Sequence, residues 1–191
     1  RSVTTTRGTL RQSGTTRLEL MAAFGDLSES SAHDDEIVIE PPDIPPPEEC
    51  LERSGEQQGV DLVINNRVEM RMSSPDPENT GQPKAEVSGW IRLVDGRDPD
   101  VLSLVLFADA FPPPIFSYVG RVGWVPTIEF TAHIRKRPEP GWVQGKFWTE
   151  DLRDGRMIET GLLWDSKGNL VAQSRHCLLY TSDAADDLTR V

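Results

Sequence analysis

Residues 101–111 form an apolar stretch, VLSLVLFADAF. A helix that is apolar on nearly every face is typical of a buried helix rather than a surface one. Asp98 is the expected N-cap, Pro99 fits the first helical position, and three prolines at 112–114 end the helix. The residues therefore predict a buried helix from about Pro99 to Phe111.

The segments around this helix alternate apolar and polar residues as strands do. Two strands are predicted before the helix and four after it, over residues 60–72, 85–94, 123–135, 142–152, 156–165 and 169–176. Sequences typical of tight turns join the last three strands. A sheet wrapped around one helix is the economical way to bury that helix. We therefore expect an α+β hotdog fold, with its domain over residues 60–180.

Negative charge is concentrated ahead of this domain. Residues 26–57 hold eleven acidic residues and one basic residue, and they carry −10 of the formal net charge of −11. Five prolines between Pro41 and Pro47 favour an extended chain, so residues 26–59 are predicted to be an acidic, proline-rich linker. The alternative is an acidic interaction motif centred on Ile37–Ile39. No basic footprint for nucleic acid or an anionic membrane is present.

Residues 1–25 show a second, smaller strand pattern. Leu18, Leu20, Ala22 and Phe24 alternate with other residues, and a plausible turn at residues 12–15 precedes them. Two strands alone bury too little surface to be stable in water. This hairpin is therefore expected to belong to a larger sheet or to pack on the domain that follows.

Several classes of protein are disfavoured by what the sequence lacks. It has two cysteines with no metal-ligand spacing, and no apolar run approaches the roughly 20 residues of a membrane span. Motifs of serine hydrolases, nucleotide-binding proteins and zinc enzymes are absent from the sequence. These observations predict a cytoplasmic protein with no metal and no cofactor.

Asp109 is the residue in the apolar helix that most needs an explanation. No other Asp, Glu, Lys, Arg or His occurs between Asp100 and Arg121. A carboxylate in apolar surroundings must be paired, have a raised pKa, or serve a function. Two readings remain open, one in which Asp109 is functional and one in which it bonds a buried backbone amide or caps the next segment.

Three separated motifs carry a family resemblance: ADAFPPPIF, GWVPTIEFTAHIRKRP and LWDSKGNLVAQSRH. Over about residues 60–176 the chain resembles the C-terminal hotdog of the acyl-CoA thioesterase II family, whose members carry two hotdog repeats. Residues 1–25 resemble later strands of the N-terminal repeat, without its first strand and helix. The resemblance implies hydrolysis of fatty acyl-CoA and pairing of hotdog repeats, within a full chain or in a homo-oligomer.

The family holds a water between an Asp, a Ser or Thr, and a Gln, which by motif correspond to Asp109, Thr127 and His176. His176 departs from the family's Gln. Alternation places Thr127 opposite the apolar face of its strand, so it reaches the site only through a bulge or by facing the other repeat. Arg135, Lys136 and Arg137 are candidate contacts for the phosphates of coenzyme A, or a solvated strand end.

The last fifteen residues, CLLYTSDAADDLTRV, resemble the conceptual translation of a sequencing adapter that follows a truncated gene. On this interpretation residues 181–191 are non-native, and His176 is a Gln whose codon was cut short. The alternative is a last strand ending near Tyr180, followed by an acidic turn capped by Ser182.

Two further functions remain open besides thioester hydrolysis. A site completed across two repeats would be incomplete in this chain, which could then be inactive, a non-catalytic acyl-CoA-binding hotdog or a structural one. A hydratase or dehydratase on the same fold is disfavoured, because that chemistry pairs the helix Asp with a His five residues later. Position 114 is Pro here.

Overall fold

The computed structural model describes residues 3–27, 37–53, 63–73, 84–120 and 125–181. The chain forms two compact units, Arg1–Glu36 and Ile37–Val191. The first unit contains an antiparallel hairpin of β1 (Thr4–Gln12) and β2 (Thr15–Phe24). Its turn places Ser13 and Gly14 in the left-handed backbone region, as a tight hairpin turn requires. The predicted hairpin is therefore present.

The second unit contains a seven-stranded sheet. In spatial order its strands are β3-β4-β5-β7-β8-β9-β6, and each neighbouring pair is antiparallel. In chain order they are β3 (Leu51–Glu52), β4 (Val68–Met72), β5 (Glu86–Leu93), β6 (Thr127–Ile134), β7 (Val143–Arg153), β8 (Arg156–Trp164) and β9 (Leu170–Leu179). Apart from the short β3, these are the two strands before the helix and four after it that the sequence predicts.

Helix α1 (Val101–Ala110) packs against β6, β8 and β9, and the short helix α2 (Phe116–Val119) follows it. The N-cap of α1 is Asp100 and not the predicted Asp98. The Asp100 carboxylate accepts hydrogen bonds from the backbone N–H groups of Leu102 and Ser103, and the Ser103 hydroxyl accepts from the Asp100 N–H. This reciprocal capping box satisfies free backbone N–H donors at the helix start. Asp98, two residues earlier, does not make these bonds.

The prediction that α1 is buried on nearly every face is wrong. The helix buries one side against the sheet, through Ser103, Leu104, Phe107, Ala108 and Ala110. On the other side Leu102 is 75% exposed and Val105 is 41% exposed in this chain. These two side chains form an exposed apolar stripe that leads along the helix to Asp109, whose side chain is 57% exposed. The sheet therefore covers one face of the helix and leaves an apolar stripe that ends at a carboxylate.

Part of the segment predicted to be a linker packs on the sheet. Trp164 donates its indole N–H to the Ile39 carbonyl at 2.8 Å, and Trp90 donates to the Pro45 carbonyl at 2.8 Å. Farther along, Leu51 and Glu52 pair with β4. An extended proline-rich chain leaves carbonyls free, and these side-chain donors bind them. The compact unit thus begins at Ile37, earlier than the predicted residue 60. Residues 28–36 and 54–59 of the segment lie outside the described residues.

The last strand continues beyond its predicted end at residue 176. β9 runs to Leu179, and the Leu178 side chain is buried against Met157 and Ile115. The first part of the adapter-like segment is therefore strand, as in the alternative that ends near Tyr180. Residues 182–191 lie outside the described residues. No helix in the described part of the chain is long and apolar enough to cross a bilayer.

Candidate active site

Asp109, Thr127 and His176 come from three different elements and meet in one place. Asp109 lies near the end of α1, Thr127 begins β6, and His176 lies in β9. Thr127 Oγ1 and His176 Nε2 are 2.7 Å apart, which is hydrogen-bond distance. His176 Nδ1 is 3.8 Å from Asp109 Oδ1, which is ion-pair distance. The fold thus brings together three side chains that are far apart in sequence.

A bulge in β6 allows Thr127 to reach this cluster. Along the β6–β9 ladder Thr127 pairs with Leu178 and Glu129 pairs with Cys177, so the register shifts by one residue between them. Simple alternation would place the Thr127 side chain away from His176. An extra residue in one strand re-aims the side chains around it. Of the two routes that the sequence leaves open for Thr127, a bulge at the strand start or contact with the other repeat, the structure has the bulge.

His176 is an interior residue. It retains 5% of its surface exposure and lies on the buried face of β9 with Ala172 and Ser174, as alternation predicts. The Phe130 ring meets its imidazole edge-on, with ring centroids 5.0 Å apart. The imidazole is consequently fixed between an aromatic ring, a hydroxyl and acidic groups.

A fourth residue, Glu159, belongs to this cluster and is absent from the sequence-based site. It lies directly opposite His176 across the β8–β9 ladder, and its Oε1 is 3.8 Å from His176 Nδ1. Its side chain is 7% exposed. The usable sequence signal was alternation, because Glu159 falls on the same strand face as the buried Met157 and Gly161. An acidic residue at an inward-facing strand position is a candidate functional residue.

Both carboxyl groups of the cluster are affected by desolvation. Burial raises the pKa of Asp109, and the nearby His176 opposes part of that rise. Burial also raises the pKa of Glu159, and the electrostatic attraction of the nearby His176 opposes part of that rise. More than half of the Asp109 side chain is nevertheless exposed, so contact with solvent limits the rise of its pKa. Asp109 is the carboxylate that a small molecule can reach.

Arg135, Lys136 and Arg137 are not part of this cluster. They are exposed and follow the end of β6 opposite to Thr127, so at about 3.3 Å per residue they lie about 26–33 Å along the chain direction from it. Lys136 Nζ donates to Asn169 Oδ1 at 3.0 Å. Within the residues described, no group of three or more His, Cys, Asp or Glu side chains is arranged to hold a metal ion.

The antiparallel sheet packed on one helix defines a hotdog-fold protein, and an acid, a hydroxyl and an imidazole meet at the end of that helix. The family model described as "Acyl-CoA thioesterase C-terminal domain" matches residues 42–180. The chain belongs to this family. The match begins within the proline-rich segment, at the part that packs on the sheet.

The chain is also similar to individual proteins and solved structures. Uncharacterized proteins of Mycobacterium bovis and Mycobacterium tuberculosis are 32% identical over 80 residues, which is 42% of this chain and 27% of each relative. The matched region therefore spans little more than a quarter of those relatives. A protein assigned to the thioesterase II class from Thermobifida fusca YX is 31% identical, with a TM-score of 0.75, and the match covers 95% of this chain and 68% of that one.

A second solved structure supports the fold alone. It is a conserved protein with a hotdog fold from Alicyclobacillus acidocaldarius, 22% identical, with a TM-score of 0.79. The match covers 96% of this chain and 69% of that protein. The predicted hotdog fold and the predicted family resemblance are therefore both confirmed.

Proposed function

We propose that this protein hydrolyses acyl-CoA thioesters to a free fatty acid and coenzyme A. Membership of the acyl-CoA thioesterase C-terminal domain family supports this reaction class. The observation that carries the proposal is the meeting of Asp109, Thr127 and His176 at the exposed end of α1. A carboxylate and a hydroxyl next to a fixed imidazole are suited to holding and activating a water molecule.

In this proposal Asp109 is the general base. It removes a proton from the bound water while the water oxygen forms a bond to the thioester carbonyl carbon. The carbon–sulfur bond then breaks, and the proton passes from Asp109 to the departing sulfur of coenzyme A. Asp109 is assigned this role in preference to Glu159, because 57% of its side chain is accessible against 7% for Glu159. A raised pKa makes Asp109 a stronger base.

Thr127 and His176 orient the water in this proposal. Their 2.7 Å contact holds the hydroxyl oxygen of Thr127, an exposed residue at the start of β6. A hydroxyl held by one partner has a defined direction for its second hydrogen bond, to the water. The reaction then proceeds by direct attack of water, without an acyl-enzyme.

We further infer that a second hotdog unit, from a longer chain or another copy, covers the exposed stripe of α1. Leu102 and Val105 lead along the helix to Asp109, and apolar side chains next to a reactive carboxylate are suited to contact with an acyl chain or a partner. Arg135, Lys136 and Arg137 are proposed to contact coenzyme A phosphates at the site of the paired unit. The free Cys50 and Cys177 favour a reducing, cytoplasmic location.

Release of free thiol from a panel of acyl-CoA esters tests the proposal, with Thr127→Val as the diagnostic variant. Valine keeps the shape and strand preference of threonine but loses the hydroxyl. The matched control is Thr131→Val on the same strand, where the hydroxyl bonds Glu129. Thr127→Val should lower kcat by about twofold to thirteenfold, which corresponds to about 0.5–1.5 kcal/mol for one hydrogen bond. Thr131→Val should not lower kcat. Acyl-CoA binding without thiol release above buffer would favour the non-catalytic alternative.

A further inference from the structure

Glu159 is a buried carboxylate that the proposed reaction does not use. It lies in the middle of β8 with 6% of its surface exposed. Its polar contact is with His176, the residue paired with it across the ladder. A buried acid is costly unless a partner compensates it. The position of this buried carboxylate next to His176 therefore indicates a role for Glu159 in the cluster.

The two nitrogens of the His176 ring face different groups. Nε2 faces the Thr127 hydroxyl at 2.7 Å, and Nδ1 faces two carboxylates, each at 3.8 Å. A neutral imidazole has one donor and one acceptor, so the group at Nδ1 decides what Nε2 can do. Of the two carboxylates, Asp109 is more than half exposed, whereas Glu159 is shielded from water. Electrostatic attraction is stronger in the less polar surroundings of Glu159.

We propose that Glu159 is a positioning residue: its carboxylate keeps the ring proton of His176 on Nδ1, so that Nε2 accepts a hydrogen bond from the Thr127 hydroxyl. At 3.8 Å the attraction is electrostatic and not a direct hydrogen bond. The assignment of the proton stands on geometry in this chain. Its consequence for catalysis rests on the proposed thioesterase function.

The consequence concerns the bound water. When the Thr127 hydroxyl donates to Nε2, its oxygen lone pairs are free to accept a hydrogen from the water. The other water hydrogen points to Asp109, and a lone pair of the water is left for the carbonyl carbon. With the ring proton on Nε2 instead, the Thr127 hydroxyl accepts from the ring and points its own hydrogen at the water. That hydrogen bond would occupy one of the two lone pairs of the water oxygen and make the water a weaker nucleophile.

The test is a long-range ¹H–¹⁵N correlation spectrum of the 191-residue chain labelled with ¹⁵N-histidine, recorded in alkaline buffer where the ring signals show neutral imidazole. The His176 signals are identified by their loss in His176→Gln. Wild type should show the Nδ1–H form. Glu159→Leu removes the carboxylate and should shift most of the population to Nε2–H. Glu159→Gln keeps an oxygen acceptor and should restore the Nδ1–H form at least in part.

Two controls make the result decisive. Glu150→Gln removes an exposed carboxylate from the neighbouring strand β7 and should leave the tautomer unchanged. Asp109→Asn tests the competing carboxylate, and it should also leave the ring proton on Nδ1. An Nε2–H ring in wild type overturns the inference, and so does a shift in Asp109→Asn without one in Glu159→Leu. The spectrum is recorded without substrate, so it reports the tautomer of His176 even if the protein does not hydrolyse acyl-CoA. A failed tautomer prediction would likewise leave the proposed hydrolysis standing.

Discussion

The hydroxyl of Thr127 and Nε2 of His176 lie 2.7 Å apart, although 49 positions separate the two residues in the sequence. The contact depends on the β6 bulge, since the ladder pairs Thr127 with Leu178 and Phe130 with His176. Removing one residue from that bulge would turn the Thr127 side chain away from the imidazole. The site geometry therefore depends on a backbone irregularity as much as on side-chain identity.

His176→Gln should raise acyl-CoA hydrolysis. The Gln carbonyl can accept from Thr127, and its amide can donate toward Asp109, so both contacts of the site can form. A cationic imidazole lowers the pKa of Asp109, and the substitution removes that effect and leaves a stronger base. The control is His133→Gln on the exposed face of β6, which should not change the rate. A lower kcat in His176→Gln would show that the imidazole itself belongs to the native site.

Glu159→Gln should stabilise the fold near neutral pH. Because burial raises the pKa of Glu159, the folded state holds this proton more tightly than the unfolded state. The stability of the wild-type chain is therefore lost as pH rises from the ordinary glutamate range through the folded-state pKa. Urea unfolding should show a gain above about 0.5 kcal/mol at neutral pH, beyond the range of surface substitutions.

This gain should shrink in acid, below the pKa of glutamate in the unfolded chain, where Glu159 is protonated in both states. His176 and Asp109 are the titratable groups that face Glu159, so the profile is repeated in His176→Gln. Glu150→Gln on the exposed part of β7 is the control and should change stability little at any pH. A loss of stability in Glu159→Gln at neutral pH would show that the ion pair outweighs desolvation.

Leu178→Ala should lower the free energy of unfolding by about 2–5 kcal/mol, the range for truncating a buried leucine. Leu178 is 2% exposed and packs with Met157 and Ile115, even though it belongs to the adapter-like segment. Leu51→Ala, at a position 65% exposed, is the control and should cost much less. A change of under about 1 kcal/mol on urea unfolding of Leu178→Ala would show that this end of β9 contributes little.

The fold could be predicted from sequence because its signals are local. The alternating strands and the Asp154–Gly155 turn, whose two residues adopt positive φ as a tight hairpin requires, are encoded within a few residues. The helix N-cap was misplaced because Asp98 and Asp100 are both suitable caps. Only the reciprocal bond with Ser103 distinguishes them.

The site was predicted less completely because its geometry is not local. Asp109 is conspicuous in an apolar helix, but the importance of Glu159 follows from the register between β8 and β9. The exposed face of α1 was missed because composition alone does not show which side the sheet covers. Packing of the proline-rich segment depends on indole donors more than 40 residues away in sequence.

The central claim is that Asp109 is the base that activates water, and the most direct measurement is thiol release from acyl-CoA by Asp109→Asn. Asparagine keeps the size of the side chain but cannot accept the proton. We expect kcat to fall by about 10²–10⁴-fold, with unchanged urea unfolding. The wild-type rate should fall in acid as Asp109 is protonated, at a pH above the ordinary aspartate range. A variant that folds normally and keeps its rate within a few-fold of wild type would contradict the account.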